Sequence, residues 1–130
     1  FIDGKVESKV TIMHLDVDNL TSRGETASPY EISSLMFKLY AKMSEFFLTK
    51  KALSFFMGGD NFMVVANSNH KESAEEFIDI IKNELGIELN CGIGTGKTAR
   101  SAVKLATKSL DTIREIRDSG KEKPEIYELT

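Results

Sequence analysis

A chain of 130 residues, 41% apolar and 28% charged, has the make-up of one globular domain able to bury a core without staples. Its net charge of −3 argues against a broad nucleic-acid surface, which needs clustered Lys and Arg. A small phosphorylated ligand stays open, because a divalent cation can supply local positive charge. A single cysteine (Cys91), no apolar run near the ~20 residues of a membrane span, and no long apolar stretch after Phe1 together lead to a cytoplasmic expectation.

The first strong segment, Lys9 to Asp16 (KVTIMHLD), is apolar enough for a central strand. A polar loop follows to Ser28. Ser28-Pro29-Tyr30-Glu31 then supplies an N-cap, a proline at the first helical position and a glutamate for a capping box. Ile32, Leu35, Met36, Leu39, Tyr40, Met43, Phe46 and Phe47 recur at spacings of three and four, the stripe of an amphipathic helix. Ala52–Met57 and Asp60–Ala66 are two apolar runs joined by Gly58-Gly59, which predicts a β-hairpin. A second helix is expected after Asn69, buried through Ala74, Phe77, Ile78, Ile81 and Leu85 and stopped by Gly86. Ile87–Gly94 reads as a strand. Thr98 caps a third helix with Ala102, Leu105, Ala106, Leu110 and Ile113 inward, ended by Gly120, and Pro124–Leu129 closes as an edge strand.

The order β-α-β-β-α-β, then α-β, predicts an α+β fold of ferredoxin-like type: a mainly antiparallel sheet with helices on one face and an additional αβ at the C-terminus. That arrangement sets the first strand beside the third, so Asp16 and Asp60 should meet at one rim. Two carboxylates converging there make a hard-oxygen site suited to Mg²⁺ or Mn²⁺. Asp18, two residues on, is a third candidate. Without a Cβ, Gly58 and Gly59 let a phosphate or base approach the backbone.

Gly92-Ile93-Gly94-Thr95-Gly96-Lys97-Thr98 invites comparison with a P-loop, but the pattern wants glycine where Cys91 stands. A glycine-rich junction at a helix N-terminus still suits an anion, so Lys97 is either a triphosphate contact or a solvated lysine on a turn. His14 shares a strand face with Asp16 and is either a proton carrier or a packing residue. Cys91 reads as a small buried hydrophobe. Lys104, Lys108 and Arg114 read mainly as a solvated face, and Arg117 to Lys123 as an exposed connector.

Leu15-Asp16-Val17-Asp18-Asn19-Leu20, Gly58-Gly59-Asp60-Asn61-Phe62 and Cys91-Gly92-Ile93-Gly94 resemble the palm-type nucleotide cyclase superfamily that includes GGDEF domains. The stretches Gly58–Asn67 (GGDNFMVVAN) and Gly92–Ala102 (GIGTGKTARSA) are more particularly similar to archaeal GTP cyclohydrolase III, over Val10 to Leu129. The resemblance implies a Mg²⁺-dependent hydrolase, with a pair of ions, that opens the imidazole ring of GTP and releases phosphate, leaving a formylamino-pyrimidine nucleotide. It implies Asp16, Val17 (through its carbonyl) and Asp60 as metal ligands, with Asn19, Gly58, Gly59, Asn61 and Lys97 at the nucleotide. In GGDEF-type relatives a basic residue on the third helix reaches the phosphates, which makes Lys108 or Arg114 the counterpart. That family's chains carry two related palm domains. Residues 1–130 correspond to the second, so pairing with another palm is expected, as a homodimer or as half of a longer chain. GGDEF-type cyclases carry glutamate where Asn61 stands, which ranks a nucleotidyl cyclase second. A non-catalytic nucleotide-binding or dimerising domain is the third reading.

Overall fold

The computed structural model describes residues 9–18, 27–67 and 69–130. Strand β1 (Val10–Val17) is followed by helix α1 (Pro29–Thr49), the hairpin strands β2 (Leu53–Gly58) and β3 (Asn61–Ala66), and helix α2 (His70–Leu85). Strand β4 (Leu89–Gly96), helix α3 (Ala99–Asp118) and strand β5 (Ile126–Leu129) complete the order. The sheet runs β2-β3-β1-β4-β5; β1 is antiparallel to both β3 and β4, and β5 joins β4 in parallel at the edge. This is the expected α+β arrangement, with β1 at its centre.

Local signals set the helix ends. Ser28 Oγ accepts the Glu31 N–H and Glu31 Oε1 accepts the Ser28 N–H, each at 3.2 Å, closing the capping box that starts α1. Gly86 ends α2 in the left-handed region (φ 65°), and Thr98 and Ser101 cap each other at the start of α3. Asp60 does not open β3 but sits in the turn before it: Gly58 pairs with Asn61, leaving Gly59 and Asp60 as the loop. The positive φ of Gly58 (98°) and Gly59 (60°) is what the glycine pair provides there.

Odd-numbered residues of β1 and β4, including Met13, Leu15, Leu89 and Ile93, join α1 and α2 in the main core. So α1 and α2 share one face, as the split βαβ arrangement requires, while α3 of the added αβ covers the other, where Ile12 meets Ala102 and Ala106. Side-chain size explains the division. On the α3 side β4 presents Asn90, Gly92, Gly94 and Gly96, and a Cβ built on Gly92 or Gly94 would lie 2.2–2.4 Å from backbone atoms of α3. The glycines of GIGTG therefore admit a helix to within backbone contact of the sheet. Among the described residues, no helix is long and apolar enough to cross a membrane.

Candidate active site at the strand rim

Strand alternation turns His14 and Asp16 toward α3 while their neighbours fill the core. Asp16 is buried, and both its oxygens are engaged. Oδ1 accepts from Asn90 Nδ2 at 3.0 Å; Oδ2 accepts from Arg114 Nε at 3.0 Å and from Nη2. Arg114 in turn donates to Asp111 at 3.1 Å. Asp18, also buried, is held by Arg117 Nη1 at 3.2 Å and Lys123 Nζ at 3.4 Å, and Lys123 also donates to Asn90 Oδ1 at 2.6 Å. Burial pushes the Asp18 carboxyl up, but the Lys123 charge and hydrogen bonds from Arg117, Lys123 and Asn90 outweigh it and hold it below its ordinary value.

Asp60 differs. Its carboxyl is raised, first by burial and then by the negative charge of Asp16, against hydrogen bonds from its own and the Val17 backbone N–H and the charge of Arg114. The two acids of the rim thus feel each other, and Asp60 is the under-neutralised partner. Asn61, pairing with Asp16 across the strands, turns its side chain to the same face: Nδ2 donates to Asp60 Oδ1 at 3.4 Å and Oδ1 meets His14 Nε2 at 2.9 Å. On the other side of the Gly59 turn, a cleft of about 530 Å³ is lined by Pro29, Ile32, Met36, Phe37, Phe56 and Gly59.

The donor set fits Mg²⁺. Asp16 and Asp60 share the rim through Asn61, and the negative charge of Asp16 adds to burial in disfavouring the charge of Asp60. Among the described residues no group of three or more acidic, His or Cys side chains surrounds the place. Mg²⁺ tolerates that, since it is commonly held by one or two carboxylates with water and substrate phosphates in the remaining positions. The ligands would be Asp16, Asp60 and the Val17 carbonyl.

Most residues expected at the site come together: Asp16, Val17, Gly58, Gly59, Asp60 and Asn61 share one rim. Asn19 lies outside the described residues. Lys97 does not belong there. Gly96 pairs with Val10 while Asn90 pairs with Asp16, so Lys97 is exposed at the far end of β4, roughly 20 Å away by strand rise. The glycines before it serve helix packing, and the analogy with an anion loop carried Lys97 to the wrong end of the sheet. Arg114 is not part of a solvated face but a clamp on Asp16, whereas Lys108 is exposed. Asn90, Arg117 and Lys123 complete the rim unforeseen; Arg117 and Lys123 belong to what the sequence presents as an exposed connector.

The fold is that of the palm-type cyclase domains. A GGDEF domain from Caulobacter crescentus, solved in complex with c-di-GMP, superposes with a TM-score of 0.69 at 12% identity, over 92% of this chain and 77% of that one. A monomeric guanylyl cyclase domain of a fusion protein from the aquatic fungus Blastocladiella emersonii gives 0.62 at 19% identity, over 80% and 75%.

The family model for GTP cyclohydrolase III matches residues 2–125, and the chain belongs to that family. It is 39% identical over 113 residues to GTP cyclohydrolase III of Methanocaldococcus jannaschii, covering 84% of this chain and 41% of that protein. With the Methanococcus maripaludis (strain S2) protein of the same name it shares 35% over 121 residues, 92% and 44%. The chain spans less than half the length of these curated relatives.

Proposed function

We propose that the chain is one palm unit of a Mg²⁺-dependent GTP hydrolase of the GTP cyclohydrolase III type, which opens the guanine imidazole ring to a formylamino-pyrimidine nucleotide and releases phosphate. The observation that carries the reading is the meeting of Asp16 and Asp60 at one rim: Asn61, which pairs with Asp16 across the strands, donates its side-chain amide to Asp60. A bound Mg²⁺ supplies charge neutralisation at phosphorus and an acidified water. The protein's own groups do the rest. Asp16 is fixed by Asn90 and Arg114, Asn61 offers an amide beside Asp60, and the open apolar cleft beyond Gly59 gives a purine ring a surface to lie against. Incubation with GTP and Mg²⁺ is expected to remove the guanine absorbance and liberate phosphate, and chelation with EDTA to stop both. GTP left intact at high protein concentration, across a Mg²⁺ titration, would sink the reading.

The same proposal includes a second palm as partner, taken as a second copy of the chain. Leu53 and Phe55 pair with Val65 and Met63, which places them on the α3 side of the sheet, beyond the part that α3 covers. Leu53, Phe55 and Val65 stay exposed on that face, along the outer strand away from the rim, and Met57 is exposed at the hairpin end. An apolar strip of this kind on an outer strand supports pairing with another protein surface. Light scattering is expected to give a dimer mass, and Phe55→Glu to give a monomer of unchanged Tm. A monomeric native chain at all concentrations would remove the partner.

A further inference from the structure

The proposed reaction leaves His14 without a task, yet it sits in a chain of four polar groups that ends on Asp60. Thr107 Oγ1 on α3 lies 3.1 Å from His14 Nδ1, His14 Nε2 lies 2.9 Å from Asn61 Oδ1, and Asn61 Nδ2 lies 3.4 Å from Asp60 Oδ1. The polarity of such a chain is fixed from its acid end. An ionised carboxylate accepts and never donates, so the Asn61 NH₂ must face Asp60 and its carbonyl must face the imidazole. His14 then carries its proton on Nε2, and Nδ1 accepts from the Thr107 hydroxyl. The reversed amide would point an oxygen lone pair at a carboxylate and leave two acceptors opposed.

We infer that His14, held by Thr107, is the positioning residue that keeps Asn61 as a hydrogen-bond donor at the rim. It rests on the proposed function for its purpose: a donor there recognises an acceptor of the substrate, such as a phosphate oxygen, where an inverted amide would repel it. The side chain of Asn61 has two N–H groups, and the bond to Asp60 uses one. Among the described residues, the hydrogen bonds of the Asn61 side chain are those to His14 and Asp60, which leave the second N–H for a ligand. His14 does its work through hydrogen-bond direction, with no change of its own charge.

Two measurements test this separately from activity. Long-range ¹⁵N NMR on the labelled chain, with His70→Ala removing the other histidine, is expected to show neutral His14 as the Nε2–H tautomer. The Nδ1–H tautomer would overturn the inference. The second is a double-mutant cycle on the affinity for a non-hydrolysable GTP analogue with Mg²⁺. His14→Leu and Asn61→Ala should each weaken binding by about tenfold, the scale of one lost hydrogen bond, and together by no more than either alone. His14→Gln, which can still donate to Asn61 Oδ1, should recover most of the loss. Additive losses, or a His14→Leu loss that persists in full without Asn61, would mean that His14 merely packs. If the native chain binds no guanine nucleotide, the functional reading falls, and the tautomer alone decides the inference.

Discussion

Asp60→Asn is expected to leave the protein as stable as before or more so, and Asp16→Asn to lower its stability by about 2 kcal/mol, although both abolish GTP hydrolysis. The opposite signs follow from the partners. Asp16 accepts at both oxygens, from Asn90 on one and Arg114 on the other, so an asparagine there must turn its NH₂ against a donor and leave the guanidinium without its counter-ion. Breaking a fully buried ion pair costs about 3–5 kcal/mol; Arg114 is one-third exposed, which brings the figure down. For a domain of this size the drop in Tm is roughly 5–10 °C. The charge of Asp60 is disfavoured first by burial and then by repulsion from Asp16, so removing it stabilises the fold.

The sign fixes the pH dependence. A carboxyl raised by folding favours the native state below its unfolded pKa and loses that contribution as pH rises through the folded value. The gain from Asp60→Asn should therefore be present above Asp60's raised pKa and fade as pH falls through it toward the ordinary carboxyl range. Differential scanning fluorimetry of the two variants across pH checks both signs. Equal losses at neutral pH would mean that the two acids are not the unequal pair described.

Gly94→Ala is expected to be, with Gly92→Ala, among the most damaging single-methyl additions at the described glycines, costing about 3 kcal/mol or more and taking nucleotide binding with it. The added Cβ would lie 2.2 Å from Ala106 N and 2.3 Å from Ala102 O. Both are backbone atoms of α3, so no rotamer change makes room and the whole helix must lift. Overpacking of a tight interior costs about 1–3 kcal/mol where side chains can yield, and more where they cannot. Lifting α3 moves Thr107, Arg114 and Arg117 together, and with them the partners of His14, Asp16 and Asp18. Gly120→Ala is the control. Its Cβ would meet nothing within 4 Å, so it reports only the strain of a positive φ. Chemical denaturation of both variants checks the ranking; a Gly94→Ala protein as stable as Gly120→Ala would refute backbone contact between α3 and β4.

What the sequence makes legible is what neighbours in the chain decide. The capping box at Ser28, the stop at Gly86 and the Gly58-Gly59 hairpin each depend on a few adjacent residues. The meeting of Asp16 with Asp60 needs one further step, the strand order of a split βαβ, and the order of elements supplies it. Asn90, Arg117 and Lys123 were beyond reach because their roles depend on which face α3 occupies. Periodicity identifies α3 as a helix with an apolar stripe but does not assign that stripe to a side of the sheet. The clue was present in the alternation of small residues at 90, 92, 94 and 96, which marks one face of β4 as a bed for a helix. Reading the same glycines as an anion loop hid that clue and misplaced Lys97.

The placement of Arg114, Arg117 and Lys123 also bears on the order of assembly. Asp16 and Asp18 enter the sheet with β1, yet the cations that neutralise them stand 98 and 99 residues away for the two arginines and later still for the lysine. Loops that long close late, after the hairpin and the first two helices have local contacts to gain. During synthesis the sheet's acidic rim therefore waits for residues 114–123 to emerge, and a ribosome-bound fragment ending at Gly96 would hold Asn90 but none of the cations that neutralise the two carboxylates.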